Sequence, residues 1–195
     1  MRATAWKSAT LAAAVAVCAT ASADGDDHGY GYKKDWYGPK GQRDYMACLK
    51  TPAAEFPGTI VDAALATPEL KTLADAVVAA GLVGTLNGKG PFTVYAPTND
   101  AFGKIPASVL GAITSDVTLL TAVLTYHVTP GQGPYLDPRF TFRGAREVPT
   151  VQGQTVFFNR SGSSPQINQS NVNCQAVKTT NGTVWLIDSV LLPQF

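Results

Sequence analysis

Histidine and cysteine are scarce in this chain, two of the former and three of the latter in 195 residues. That scarcity excludes most ways of building a reactive centre. There is no His-Glu-x-x-His, no Cys-x-x-Cys and no Gly-x-Ser-x-Gly elbow. Gly131-Gln132-Gly133-Pro134 does not complete a dinucleotide fingerprint, and residues 84–90 lack the Lys-Ser/Thr end of a phosphate loop. No spacing joins His127 to Asp188 or Asp100 and a serine as a triad. No catalytic residue is assigned, and the chain reads as a non-enzyme. Asp24, Asp26, Asp27 and His28 are close in sequence, but a Gly- and Tyr-rich stretch does not fix ligands in geometry. No metal site is expected.

An excess of one charge is missing too. Fifteen basic residues face 14 acidic ones, with no basic stripe and no polybasic run. Neither nucleic acid nor an anionic membrane surface is an expected partner. Long apolar runs are also absent. Residues 9–18 are apolar but shorter than the ~20 residues a bilayer requires. Arg2 and Lys7 precede that run and Ala21-Ser22-Ala23 follows it, so residues 1–23 read as a secretory signal peptide. A lipoprotein signal ending at Cys18 is the rival, disfavoured by the bulk of Val17 before it. With Arg2 and Lys7 removed, 13 basic side chains remain against 14 acidic ones, a net of −1. No transmembrane segment and no GPI tail are expected. The protein should be secreted and extracellular, or periplasmic or in the cell envelope if bacterial.

Export gives the cysteines a meaning. Cys18 leaves with the signal, and Cys48 and Cys174 remain as an even pair in an oxidising compartment. A disulfide between them ties the segment before the domain to its late strands; the alternative is two buried thiols.

What is present is a core. Apolar residues make up 45% of the chain and charged ones 15%, the balance of a globular protein. Residues 24–55 read as a Gly/Tyr-rich tail, partly disordered, because no helical or strand period runs through them. Helix signals follow. Thr59 and Asp62 have capping-box spacing. Thr67-Pro68 opens a second helix that Gly81 stops, with Leu70, Leu73, Val77 and Val78 on its inner face. Residues 92–96 alternate as a strand ended by Pro97. Thr98-Asn99-Asp100 caps a short helix, Pro106 opens another, and Ser115 caps a longer one that feeds a Tyr126-His127-Val128 strand. Two hairpins are expected, turning at Gln152-Gly153-Gln154 and at Asn181-Gly182. Helices first and strands last indicate an α+β fold.

Three segments in fixed order go further: Gly90-Pro91-Phe92-Thr93-Val94-Tyr95-Ala96-Pro97-Thr98-Asn99-Asp100-Ala101-Phe102, Thr125-Tyr126-His127-Val128, and Asn181-Gly182-Thr183-Val184-Trp185-Leu186-Ile187-Asp188-Ser189-Val190-Leu191-Leu192-Pro193. Together they resemble the two signature blocks and the Tyr-His motif of a fasciclin-type (FAS1) domain, placed at residues 56–195. The resemblance implies a β-wedge of two angled sheets with helices packed along it, in one copy. It implies a secreted, non-catalytic binding module for cell-surface or matrix adhesion, whose partner is a protein or glycan there. Thr98, Asn99, Asp100, Phe102 and Asp188 become structural motif positions. Tyr126 and His127 become candidates for partner contact. Their alternative role is structural: the Tyr ring fills core and the His is held by Asn99 or Thr98.

One departure argues against an integrin as partner. Ala176 stands where adhesive animal members carry an Asp, and no Arg-Gly-Asp occurs. Asn159, Asn168 and Asn181 head N-glycosylation triplets, with Asn159 and Asn168 favoured because the Asn181 side chain has a turn to make. No cofactor is expected. The alternative function is a soluble carrier of a lipophilic molecule such as a carotenoid, as in some algal members. Its groove would be lined by the Ala-rich early helices and by Ile60, Leu65, Val77 and Val78. A third reading is a structural matrix component whose sugars matter more than its protein face.

Overall fold

Local signals set most of the helices, and a central pair of strands holds them. The computed structural model describes residues 40–140 and 146–194; the expected signal peptide lies outside them. Helix α1 spans Lys40–Lys50, followed by the two-residue strand β1, Ala54–Glu55. Helix α2, Ile60–Ala66, starts at the full Thr59/Asp62 capping box. Pro68–Leu70 forms one 3-10 turn leading into α3, Lys71–Ala79. Gly81 stops that helix at a φ of 68°, a left-handed conformation that glycine adopts without Cβ strain. Helix α4 is Val83–Leu86 and strand β2 is Phe92–Pro97. Then come α5, Asn99–Gly103, α6, Ala107–Ser115, and α7, Val117–Tyr126. Strands β3 (Val128–Pro130), β4 (Arg146–Pro149), β5 (Thr155–Ser161), β6 (Ser164–Ile167), β7 (Ser170–Lys178) and β8 (Gly182–Ile187) complete the described chain.

The fold is α+β. Its strands pair in the order β3-β2-β8-β7-β6-β5-β4, with β1 added in parallel beside β7. The long β7 carries a register shift between Val172 and Ala176, and it pairs β8 along one part and β6 along another. The two ends of the path meet where the Val151 N–H donates to the Val128 carbonyl at 2.8 Å, so the sheet is nearly a barrel.

Strands β2 and β8 run parallel from Phe92↔Gly182 to Pro97↔Ile187. Apart from Thr93 and Thr183 neither carries a hydrophilic side chain, because both faces are covered. Val94, Ala96 and Val184 face the helices, where Val61, Leu73, Val77, Leu120 and Leu124 pack against them. Tyr95, Trp185 and Ile187 point the other way, into a second core with Val156, Phe158 and Ile167. The period of two along each strand sorts these side chains between the two cores.

Five expectations need correction. The segment read as tail carries α1 and β1 from Lys40 onward; residues 24–39 lie outside the described residues. Tyr45 and Cys48 of α1 are buried, and two apolar anchors are too few to show a period in sequence. Val78 is 57% exposed, since it lies one residue off the buried stripe of Leu73 and Val77. Helix α7 is capped by Asp116, not Ser115, the carboxylate accepting from the Thr118 and Leu119 N–H groups at 2.7 and 3.3 Å. Tyr126 ends that helix and His127 caps it, so neither is in a strand. Finally, β7 and β8 do form a hairpin at Asn181-Gly182, but neither residue takes a positive φ. Gly182 is needed for approach instead: a Cβ there would lie 2.2 Å from the Phe92 carbonyl oxygen and 2.6 Å from Ile60 Cδ1.

Candidate functional site

His127 sits where α7 stops, and a stopping helix leaves carbonyls without partners. Its Nδ1 lies 2.7 Å from the Val123 carbonyl, one turn back, and its Nε2 accepts the Leu191 N–H at 2.9 Å. Because Leu191 is a donor, Nε2 carries a lone pair and the proton must be on Nδ1, where it donates to Val123. One neutral tautomer satisfies both neighbours. The ring therefore bolts the end of α7 to the segment after β8, across 64 residues of sequence. Burial pushes the His127 pKa down to about 4, with the Val123 carbonyl pulling weakly the other way.

Tyr126 works beside it. Its hydroxyl donates to the Thr155 carbonyl at 2.9 Å and accepts from Asn168 Nδ2 at 2.7 Å, while the ring joins the second core. Tyr126 is 5% exposed and His127 1%. Both side chains are thus buried and shape the corner, and Tyr126 alone of the two borders an open pocket, beside Thr155 and Asn168.

The expected holders of the ring have other tasks. Thr98 caps α5, accepting the Ala101 N–H at 3.4 Å. Asn99 accepts the Thr72 N–H at 3.0 Å and donates to the Pro68 carbonyl at 2.9 Å, pinning the start of α3 to α5. Asp100 is exposed in the first turn of α5, where an acidic side chain suits the helix dipole. Phe102 packs half-buried on the helix-side core. Asp188 closes a separate link: its carboxylate accepts from the Asn171 backbone and side chain at 2.8 and 3.0 Å and pairs with Lys104 at 3.3 Å. Burial raises its pKa, but the Asn171 donors and Lys104 outweigh this and hold the carboxyl below its ordinary value.

Cys48 and Cys174 form the expected disulfide, joining α1 to β7. Beside it lies a buried group that sequence reasoning missed. The Arg139 guanidinium pairs with Asp137 at 2.8 Å, and its Nη1 donates to the carbonyls of Cys48, Thr51 and Cys174 at 3.2, 2.8 and 3.0 Å. It also stacks 4.7 Å above the Trp185 ring. One cation thus caps the end of α1 and holds both halves of the disulfide's backbone. The only signal was an Asp-Pro-Arg triplet, which names no partner 90 residues away.

The three glycosylation triplets fare differently. Asn181 is wholly engaged, accepting the Ile60 N–H at 3.0 Å and donating to the Leu86 carbonyl at 2.7 Å. Asn168 is engaged as well, since its Oδ1 accepts the Phe157 N–H at 2.7 Å. The hydroxyl-bearing residue of its triplet, Ser170, is buried. Asn159 is half-exposed on β5, and its Oδ1 is buried without a donor. Ala176 is buried in the second core.

Among the described residues no group of three His, Cys, Asp or Glu side chains could hold a metal. No single described helix is long and apolar enough to cross a membrane.

The fasciclin domain profile matches residues 68–193. The immunogenic protein MPB70 of Mycobacterium bovis is 40% identical over 168 residues, covering 82% of this chain and 83% of its own. Protein sll1483 of Synechocystis is 34% identical over 75% of this chain and 80% of its own. The cell surface glycolipoprotein MPB83 of M. bovis is 37% identical over 69% of this chain and 60% of its own. Among solved structures, the FAS1 domain pair of the insect cell adhesion molecule fasciclin I aligns with 63% of this chain and 45% of its own, at 22% identity and a TM-score of 0.48. With that profile spanning both cores and a relative sharing two residues in five across most of its length, this chain belongs to the fasciclin domain family.

Proposed function

We propose that this protein is an exported, non-catalytic recognition module that adheres to a protein or glycan at a cell surface or in the extracellular matrix. Family membership carries this reading, with a relative named as a cell surface glycolipoprotein. The site chemistry agrees with it. His127, the one histidine among the described residues, has both ring nitrogens committed and offers no general base. Ala176, buried where adhesive animal members carry an acid, speaks against an integrin partner. The test is to coat beads with residues 24–195 and measure binding to envelope preparations of the source cells. Saturable binding that survives chelation of divalent cations is expected. Failure to bind any envelope fraction, or turnover abolished by one side-chain change that leaves the fold intact, would overturn the reading.

A carrier role is the second reading, and it rests on an apolar cavity of about 50 Å³ between the early helices and β2. Leu73, Val77, Leu86, Phe92, Leu124 and Val184 line it. That volume suits a very small apolar molecule; a carotenoid requires α2 and α3 to part. A visible absorption band in protein purified from its native source would favour the carrier.

A further inference from the structure

We infer that the open pocket between β5, the β6–β7 turn and residues 192–194 is a binding site for a neutral carbohydrate. This rests on the recognition reading above and names the class of partner. The site begins with the pleat of β5. Val156 and Phe158 are fully buried in the second core, so Thr155, Phe157 and Asn159 share the opposite face. That face carries a hydroxyl, an aromatic ring and an amide in a row. Gln169 and Gln194, both exposed, stand along the same pocket. Its volume is about 730 Å³, within the ~300–1,000 Å³ usual for small-ligand sites.

The frame around these groups is fixed. Gln154 Nε2 donates to the Gln194 carbonyl at 2.6 Å, and its Oε1 accepts the Gln194 N–H at 2.9 Å. Asn168 is held from both ends, by the Phe157 N–H and by the Tyr126 hydroxyl. Asn168 and Gln169 form a two-residue turn with φ of 46° and 74°, the left-handed region that residues with a Cβ rarely occupy. Such backbone strain gathers at binding sites. Asn159 Oδ1 is buried with no donor, an exception among buried polar atoms. The amide as a whole is half-exposed, so a turn of the side chain brings that oxygen to an arriving hydroxyl.

The chemistry selects the ligand. A carboxamide sets a donor and an acceptor side by side, matching neighbouring sugar hydroxyls that each donate and accept. An exposed ring, Phe157 at 43%, suits the apolar face of a pyranose. Among the described residues no charged side chain lines the pocket, so none of them matches a phosphate, sulfate or uronate. Protein hot spots concentrate Trp, Tyr and Arg, whereas the large apolar groups exposed among the described lining residues are Phe157 and Leu192, with Tyr126 buried beneath them.

The experiment titrates the isotope-labelled protein with neutral hexose and pentose oligosaccharides and with acidic ones, reading backbone amide shifts. Neutral oligosaccharides are expected to shift Gly153, Phe157 and Gln169 saturably. Phe157→Ala and the isosteric Asn159→Asp, each checked for unchanged thermal stability, should weaken binding about tenfold or more, the loss of one good contact. No shift with any neutral sugar, shifts only with acidic ones, or unchanged binding by both variants would overturn the inference. Bead binding to envelopes separates the two readings. Adhesion indifferent to Phe157→Ala, with no sugar bound, removes the pocket and keeps the module. Sugar binding at the pocket without envelope adhesion does the reverse. Adhesion that needs Phe157 yet ignores every sugar marks a protein partner and refutes the carbohydrate.

Discussion

Mild acid should loosen this protein through one buried ring. His127 has a pKa of about 4 in the folded chain against 6.5 for an exposed histidine. The unfolded chain takes up the proton first as pH falls. Stability is therefore complete above about pH 6.5, declines between 6.5 and 4, and stops declining from this cause below about 4. At ~1.4 kcal/mol per pH unit, the gap amounts to about 3 kcal/mol in all and about 2.5 kcal/mol by pH 4.5. The carboxyls of Asp62 and Asp188 are held below the ordinary 3.8, so most of their losses come at lower pH than that of His127. Urea unfolding at pH 7.5, 6.5, 5.5 and 4.5, on wild type and His127→Ala, isolates the ring. At neutral pH the variant leaves the Val123 carbonyl and the Leu191 N–H buried without partners, a loss of about 2–5 kcal/mol. That difference should shrink steadily toward pH 4.5, because the variant has no proton to take up at this position. A difference that stays constant with pH, or a His127 resonance titrating near 6.5, would refute the argument.

Three further outcomes follow from the same contacts. Cys48→Ser with Cys174→Ser opens a loop of 126 residues, which the chain-entropy account values at about 4–5 kcal/mol; a clear drop in melting temperature is expected, with unchanged far-UV circular dichroism at low temperature. Arg139→Leu leaves Asp137 buried and unpaired and strips the carbonyls of Cys48, Thr51 and Cys174 of their donor; about 3–5 kcal/mol should be lost in denaturant titration. Gly182→Ala forces a methyl group against the Phe92 carbonyl and should cost about 3 kcal/mol, the top of the overpacking range, while Gly111→Ala in α6, where a Cβ meets nothing within 4 Å, should cost nothing.

Local chemistry was legible and distant chemistry was not. The Thr59/Asp62 box, the Pro68 start and the Gly81 stop are each settled within a few residues, and each appears where its spacing puts it. Helices before strands was enough for α+β. Asn181-Gly182 marks the right turn for a different reason, since its glycine serves a strand 90 residues earlier. The two-residue turn at Asn168-Gln169 was hidden, because its side chains read as a glycosylation triplet and neither residue is glycine. At the Tyr-His corner the residue types pointed correctly to a buried, paired histidine. Its partners could not be read, because a backbone N–H such as that of Leu191 has no signature in sequence. Arg139 fails for the same reason: all but one of its acceptors are main-chain oxygens or a ring face brought together only by the sheet.

The position of β8 has a consequence for how the chain reaches this shape. The last described strand lies between β2 and β7, so until residues 182–187 emerge the helical half and the hairpin half are joined only where β3 meets the end of β4 and where Tyr126 reaches Thr155 and Asn168. Contacts of such long sequence separation form slowly. A polypeptide with this layout completes its central sheet only after residues 182–187 have been made. The bond from the Leu191 N–H to His127, which fastens the end of α7, forms later still because its donor follows β8.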